Sequence, residues 1–178
     1  MNVGELWDLI VGAVLARLYK ILSLLRLRPN MNRVTQNVWV GGVNHPYFIV
    51  DKDFDAVVDL RMKNDGKYNS YLQKSGIQCL KRPTPDGSGI SPRGLLDTVE
   101  WIVARVRTGA KVLIHCDLGR GRAALVASSY LVYSGLDPET ALRFVKKKRR
   151  ITHLNGRQRR ALQVFARTRV QNSVSKRG

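Results

Sequence analysis

Cys116 and Arg122 are separated by five residues in IHCDLGRGRAA, Ile114 to Ala124, and two of the five, Gly119 and Gly121, are glycines. Glycine permits positive φ and close backbone approach, so Asp117, Leu118, Gly119, Arg120 and Gly121 can fold into a tight loop. Successive N–H groups of such a loop converge on one anion, and the N-terminus of a following helix adds to the field. Arg122 at the end of the loop can hold two phosphate oxygens in a fork. The same field favours a thiolate at Cys116, and a thiolate beneath a bound phosphoryl group is a nucleophile in line for attack. A cysteine after a strand is by itself a packing residue. Packing does not account for Gly119, Gly121 and Arg122 at these offsets.

Attack on a phosphate ester needs an acid for the leaving oxygen. RPTPDGSG supplies Asp86, about thirty residues before Cys116. Asp-Gly is also the ordinary composition of a turn. What favours the acid is its place between a strand and a helix, at the sheet edge where Cys116 sits.

The elements that must position these groups follow from pattern. NVWVGG, Asn37 to Gly42, reads as a strand and turn. DAVVDLR, IQCLKRP and KVLIHC read as buried strands. Helices are expected over 65–75, from Pro92 with Ser91 as cap until Gly109, over 122–133, over 138–149 and over 155–169. Strands alternating with helices imply an α/β fold, a mostly parallel central sheet flanked by helices. The 178 residues suffice for one core. The expected organisation is an amphipathic N-terminal helix over 1–29, a domain over 30–170 and a frayed basic tail over 171–178.

In the N-terminal segment, Trp7, Ile10, Val11, Val14, Leu18, Ile21, Leu22 and Leu25 share one helical stripe, with Glu5, Asp8, Gly12, Ala16, Lys20 and Ser23 opposite. Its longest uncharged run, Leu9 to Ala16, is far short of a membrane span, and it lacks the marks of a secretory signal. The stripe suits a membrane interface through residues 5–28, packing on the chain's own domain, or a second copy. The net charge is +18, and no acidic residue follows Glu139. A tail of one sign seeks phosphate groups, anionic lipid or, less readily here, nucleic acid, although a solvated face is the plainer reading of any charge run. Two cysteines, Cys79 and Cys116, form no disulfide framework and suit a reducing compartment. The location expected is cytoplasmic or peripheral on an inner membrane surface. His45, His115 and His153 are too scattered for a zinc site, so no metal is expected.

His115-Cys116-x5-Arg122 resembles the signature of the cysteine-dependent protein tyrosine phosphatase superfamily, and the chain is similar to its small dual-specificity branch over about residues 34–168. Several segments, RPTPDGSGISPRGLLDTVEWI and GLDPETALRFVKKKRRITHLNGRQRRAL among them, look closest to the mitochondrial phosphatidylglycerophosphate phosphatase type. The resemblance implies a phosphomonoesterase without a cofactor. Cys116 would form a cysteinyl-phosphate, Arg122 and the loop amides would bind its oxygens, and Asp86 would serve as acid and then base. His115 would help position the loop, and Gln158 matches a family glutamine without an assigned role. The substrate expected is a phosphorylated protein. The alternatives are an anionic phospholipid head group, a phosphate-binding module with little turnover, and an RNA 5′-phosphate.

Two letters depart from expectation. The family carries Ser or Thr after the arginine, a hydroxyl that donates to the cysteine sulfur; here the residue is Ala123, which implies slow release of the phosphoenzyme. Asp117 beside the nucleophile would repel a dianion if it pointed inward, so it is expected to point away and pair with Arg120, itself a source of positive charge at the cleft. Cys79 is a core strand residue or a redox partner of the nucleophile.

Overall fold

The computed structural model describes residues 3–63 and 65–175. The side chains of residues 3–5, 7, 8 and 169–175 lie outside the description, and with them Trp7, Glu5 and Asp8 of the sequence pattern. The strands are β1 (Met31–Arg33), β2 (Val38–Gly41), β3 (Ala56–Asp59), β4 (Gln78–Lys81) and β5 (Val112–His115). They form one sheet in the order β1-β2-β5-β3-β4, antiparallel only where β1 meets β2. The helices are α1 (Val3–Leu24), α2 (Pro46–Asp51), α3 (Gly66–Lys74), α4 (Pro92–Arg107), α5 (Arg122–Tyr133), α6 (Pro138–Lys148) and α7 (Gly156–Ser175).

The mixed sheet and flanking helices are those the alternating pattern implies. Ser91 caps α4 by accepting from the Gly94 amide, and Gly109 takes φ +87 just past its end. The expectations missed β1 and α2. β1 has three residues and α2 six, too short for any period; α2 starts at Pro46, where His45 Nδ1 accepts from the Tyr47 amide. α7 runs on to Ser175, so residues 171–175, expected to fray, are helical.

Two cores cover the sheet. One lies beneath α4–α7 and holds Val40, Ile114, Cys116, Leu125, Val145 and Phe165; the other lies beneath α2 and α3 and holds Phe48, Phe54, Tyr68 and Leu72. Alternate residues of β5 serve the two sides: Val112 and Ile114 one, Leu113 the other. The register then aligns Gly41, His115, Asp59 and Lys81 in one row across the carboxyl ends of β2, β5, β3 and β4. That row is the floor of the site, and Cys116 follows it directly.

α1 lies the other way round from a helix that serves a core. Gly12, Ala16 and Ser23 face the domain and are buried. Leu6, Ile10, Val14, Leu18, Ile21 and Leu25 point to solvent, with Val14 59% and Ile21 54% exposed. Of the stripe's described residues, Ile10, Val14, Leu18, Ile21 and Leu25 therefore do not pack on the chain's own domain, while Val11 and Leu22 are half-buried. Among the described residues, no helix is long and apolar enough to cross a membrane.

Candidate active site

Cys116 is buried, and its Sγ accepts from the Gly119 amide at 3.2 Å. The loop after it is held from outside by its carbonyls. Asp117 O accepts from the Val43 amide (2.9 Å) and Arg120 O from the His153 amide (3.0 Å). Leu118 O and Gly119 O accept from Arg149, at 3.1 and 2.7 Å. A trans peptide sets each N–H opposite the preceding C=O. Four carbonyls tied outward therefore turn the amides of Leu118, Gly119, Arg120 and Gly121 toward the interior of the loop, and Gly119 N–H is seen to reach Sγ. α5 starts at Arg122 without a side-chain cap, which leaves its first amides available to an anion.

Gly119 takes φ +72, and a Cβ there would collide with the Gly41–Gly42 backbone. A Cβ on Gly42 would press on the Asn30 side chain and, at 2.9 Å, on Asp117 O. The glycines of NVWVGG thus allow the loop to settle on the end of β2.

Arg122 is 4% exposed. Its Nη1 donates to Leu60 O (3.2 Å) and Thr84 O (2.7 Å), and its Nη2 meets Asp86 Oδ1 at 3.1 Å. Nε is buried with no hydrogen-bond partner among the described residues, so a donor remains for an oxyanion inside the loop. The Asp86 side chain is 87% exposed, out over the loop's mouth. Its own loop is pinned from the start of α7 and the residue before it: Asn155 Nδ2 donates to Gly87 O (2.8 Å) and Gln158 Nε2 to Ser88 O (3.3 Å). Gln158, without a role from sequence, thus ties the Asp86 loop in place. Its amide also lies where a Cβ on Gly121 would fall.

His115 is fully buried, with Nε2 3.3 Å from Tyr68 Oη and 3.7 Å from Asp59 Oδ1. Burial lowers its pKa to about 4 against the pull of Asp59. Burial would raise Asp59, but His115 when charged, the hydrogen bonds and charge of Arg61, and Lys81 outweigh it and hold the carboxyl at about 2. Arg61 meets both Asp59 oxygens at 3.0 Å and Lys81 Nζ reaches Oδ2 at 2.7 Å. At neutral pH the imidazole is an uncharged spacer beneath the loop, standing on a carboxylate already neutralised from its other side.

The structure corrects two expectations. Asp117 pairs with Lys20 of α1, at 2.8 and 2.9 Å, and not with Arg120. Arg120 is turned away from the Cys116 cradle: its Nε donates to Ile151 O (3.1 Å) and its Nη2 to Leu9 O (3.1 Å). The reason is α1, whose small residues bring Leu9 O and Lys20 within reach of the loop. Ala123 is fully buried in the α4–α7 core, and the Gly119 amide is the donor at Sγ. Cys79 packs with the α2–α3 core, across the sheet from Cys116, and burial raises its thiol pKa, as befits an inert core residue. Among the described residues, no three His, Cys, Asp or Glu side chains cluster to hold a metal.

Sequence reasoning missed Arg149, Asp59, Tyr68 and Asn155. Arg149 is the most consequential. It is 2% exposed and has no carboxylate partner among the described residues; besides the two loop carbonyls it donates to Asn30 Oδ1 (2.7 Å) and Asn32 Oδ1 (2.8 Å). Burial lowers it to about 10, while the nearby Cys116 sulfur favours its charge.

A buried sulfur inside a ring of inward amides, closed by an arginine and overhung by a carboxylate, defines the class of cysteine-dependent phosphatases. Residues 39–168 match the family model of the dual specificity phosphatase catalytic domain, and the chain belongs to that family. The human protein tyrosine phosphatase type IVA 3 is 30% identical over 106 residues, covering 58% of this chain and 61% of that protein. The chain thus spans about three fifths of the length of that curated relative. The crystal structure of Tk-PTP in the active form is 32% identical, covers 78% of this chain and 97% of its own, and superposes with a TM-score of 0.71. That of PTPMT1 shares the fold at 19% identity, covering 82% and 99%, with a TM-score of 0.74.

Proposed function

We propose that the chain hydrolyses phosphomonoesters through a cysteinyl-phosphate, as a dual-specificity type of protein tyrosine phosphatase. The observation that carries this reading is the outward tethering of four consecutive loop carbonyls, which aims four amides at the space above Cys116 Sγ. In the first step Sγ attacks phosphorus and the P–O bond to the leaving group breaks, with Asp86 protonating the departing oxygen. The amides of residues 118–121 and the free Nε–H of Arg122 bind the equatorial oxygens. In the second step Asp86 takes a proton from water, which attacks phosphorus and releases Cys116 and phosphate. The contact between Arg122 and Asp86 supports this, because it brings the acid to the group that would clamp the phosphoryl oxygens. We read residues 30–170 as the phosphatase unit. The test is to trap a phosphoenzyme from labelled p-nitrophenyl phosphate. Wild type is expected to form it, and Cys116→Ser to form none and lose turnover; label retained in Cys116→Ser would refute the assignment.

A second reading, a phospholipid head-group phosphatase peripheral to a membrane, is favoured by the exposed apolar face of α1 beside the loop. PTPMT1 has been crystallised in complex with PI(5)P. A panel of phosphotyrosine peptides and phosphomonoester lipids separates the two by kcat/KM.

A further inference from the structure

α1 and the segment joining α6 to α7 enclose a cleft of about 690 Å³ that does not contain Cys116. Six cationic side chains line it: Arg120, Arg143, Lys146, Lys147, Arg150 and Arg159. Among the described residues, no carboxylate does. Three of them act on His153 in the same wall: burial lowers its pKa, and Arg120, Arg159 and Lys146 lower it further. Thr152 also lines the cleft, 4% exposed, with its Oγ1 unpartnered among the described residues. A protein interior rarely leaves a buried hydroxyl unused. The facing wall, on α1, is apolar, built from Leu9, Val11 and Leu15, and Ile151 adds an apolar side chain among the cations of the α6–α7 segment. Around the helix from that wall lies the solvent-facing stripe of Ile10, Val14, Leu18 and Ile21.

We propose that this cleft binds the phosphate of an anionic phospholipid, drawn from a membrane on which the apolar face of α1 lies, as a site separate from the cradle over Cys116, whose loop contributes to it only the outward-turned Arg120. The cations take the phosphate, the apolar wall takes the beginning of the acyl chains, and the outer stripe enters the acyl boundary. Charge selects this occupant. A second copy would bring another +18 to the same surface. A nucleic acid would use the cations and leave the apolar stripe in water. The site does not rest on the catalytic reading. Phosphatidylglycerol, a phosphodiester that the phosphatase chemistry above would not consume, is a sufficient probe.

The test is co-sedimentation of the full chain with phosphatidylglycerol/phosphatidylcholine vesicles. The triple variant Lys146→Gln, Lys147→Gln, Arg150→Gln is compared with a control triple on other elements, Lys67→Gln, Lys74→Gln, Arg107→Gln. All six side chains are exposed, and none contacts the Cys116 loop in the hydrogen bonds described above. One basic residue at an anionic surface is worth about fivefold, so the cleft triple should weaken partitioning on the order of a hundredfold. The control triple should change it by less than about threefold, and both should keep wild-type turnover of p-nitrophenyl phosphate. Ile10→Ser, Val14→Ser, Ile21→Ser should also lose vesicle binding. Equal losses in the two cation triples would reduce the effect to net charge and overturn the site. So would full binding by the cleft triple, or wild-type release by millimolar glycerol phosphate, which would make the ligand a soluble phosphate. Self-association abolished by the stripe variant, with vesicle binding unaffected, would assign the stripe to a second copy.

Discussion

Replacing Arg149 with methionine keeps the volume and removes both the charge and four hydrogen bonds. Leu118 O, Gly119 O and Asn30 Oδ1 would lose donors in a buried setting, where each stranded acceptor costs about 1–3 kcal/mol. Methionine recovers part of the desolvation that lowers Arg149 to about 10, so the net loss is expected near 3 kcal/mol. For a chain of this size that is a fall of about 6–12 °C in Tm. The larger effect is on function. Once the carbonyls of Leu118 and Gly119 are free to rotate, the following amides no longer point at the phosphate, and kcat/KM should fall on the order of a hundredfold. Alkylation of Cys116 by iodoacetamide should slow as well, because the cation that responds to its sulfur is gone. Lysine at 149 restores the charge without the planar fork, so it should recover the alkylation rate more than the Tm. Thermal melts, p-nitrophenyl phosphate kinetics and timed alkylation read all three. A methionine variant melting within about 2 °C of wild type, with kcat/KM within about threefold, would refute the claim that Arg149 holds the loop open to the anion.

Asp86→Asn should lower kcat by about 10²–10⁴ while phosphate still competes for the loop, measured by steady-state inhibition. Ala123→Ser should place a hydroxyl beside Cys116 and speed phosphoenzyme breakdown, on the order of tenfold in single-turnover decay; an unchanged rate would mean that the Gly119 amide already suffices at the sulfur. His115 gives a pH signature. Its folded pKa, about 4, lies below the unfolded 6.5, so its contribution is complete above pH 6.5 and is lost as pH falls toward 4, by up to about 3 kcal/mol. Urea melts across that range should show the loss in wild type and a flatter profile in His115→Gln.

Chemistry was more legible than support. Cys116, Gly119, Gly121 and Arg122 are neighbours in the chain, so spacing alone displays them, and the apolar runs that end at Asp59 and His115 announce their strands. Arg149 was hidden in KKKRR, where it differs in no local respect from exposed Arg150; only the turn after α6 sends one inward and the other out. Asp117 was read as turning from the phosphate toward a near neighbour, yet its partner lies 97 residues away on another element. Asp59 was visible only as a polar strand end, because its meaning depends on the cross-strand register with His115. The periodicity of α1 was correct, but a helical period cannot say which side faces the protein. Here the small residues do.

The Lys20–Asp117 pair crosses from a helix that lies before the matched family region to the first residue of the loop, beside Cys116. A fragment begun at residue 30 would keep β1, the Asn30 and Asn32 contacts of Arg149 and every group assigned to the proposed chemistry, and still be a different catalyst. Asp117 would become an uncompensated negative charge beside an incoming dianion, and Arg120 would lose Leu9 O. Such a fragment would discriminate against its substrate in proportion to that substrate's charge, most strongly at low salt. A shortened enzyme would then seem to prefer weakly charged aryl phosphates for reasons that belong to the cut and not to the fold.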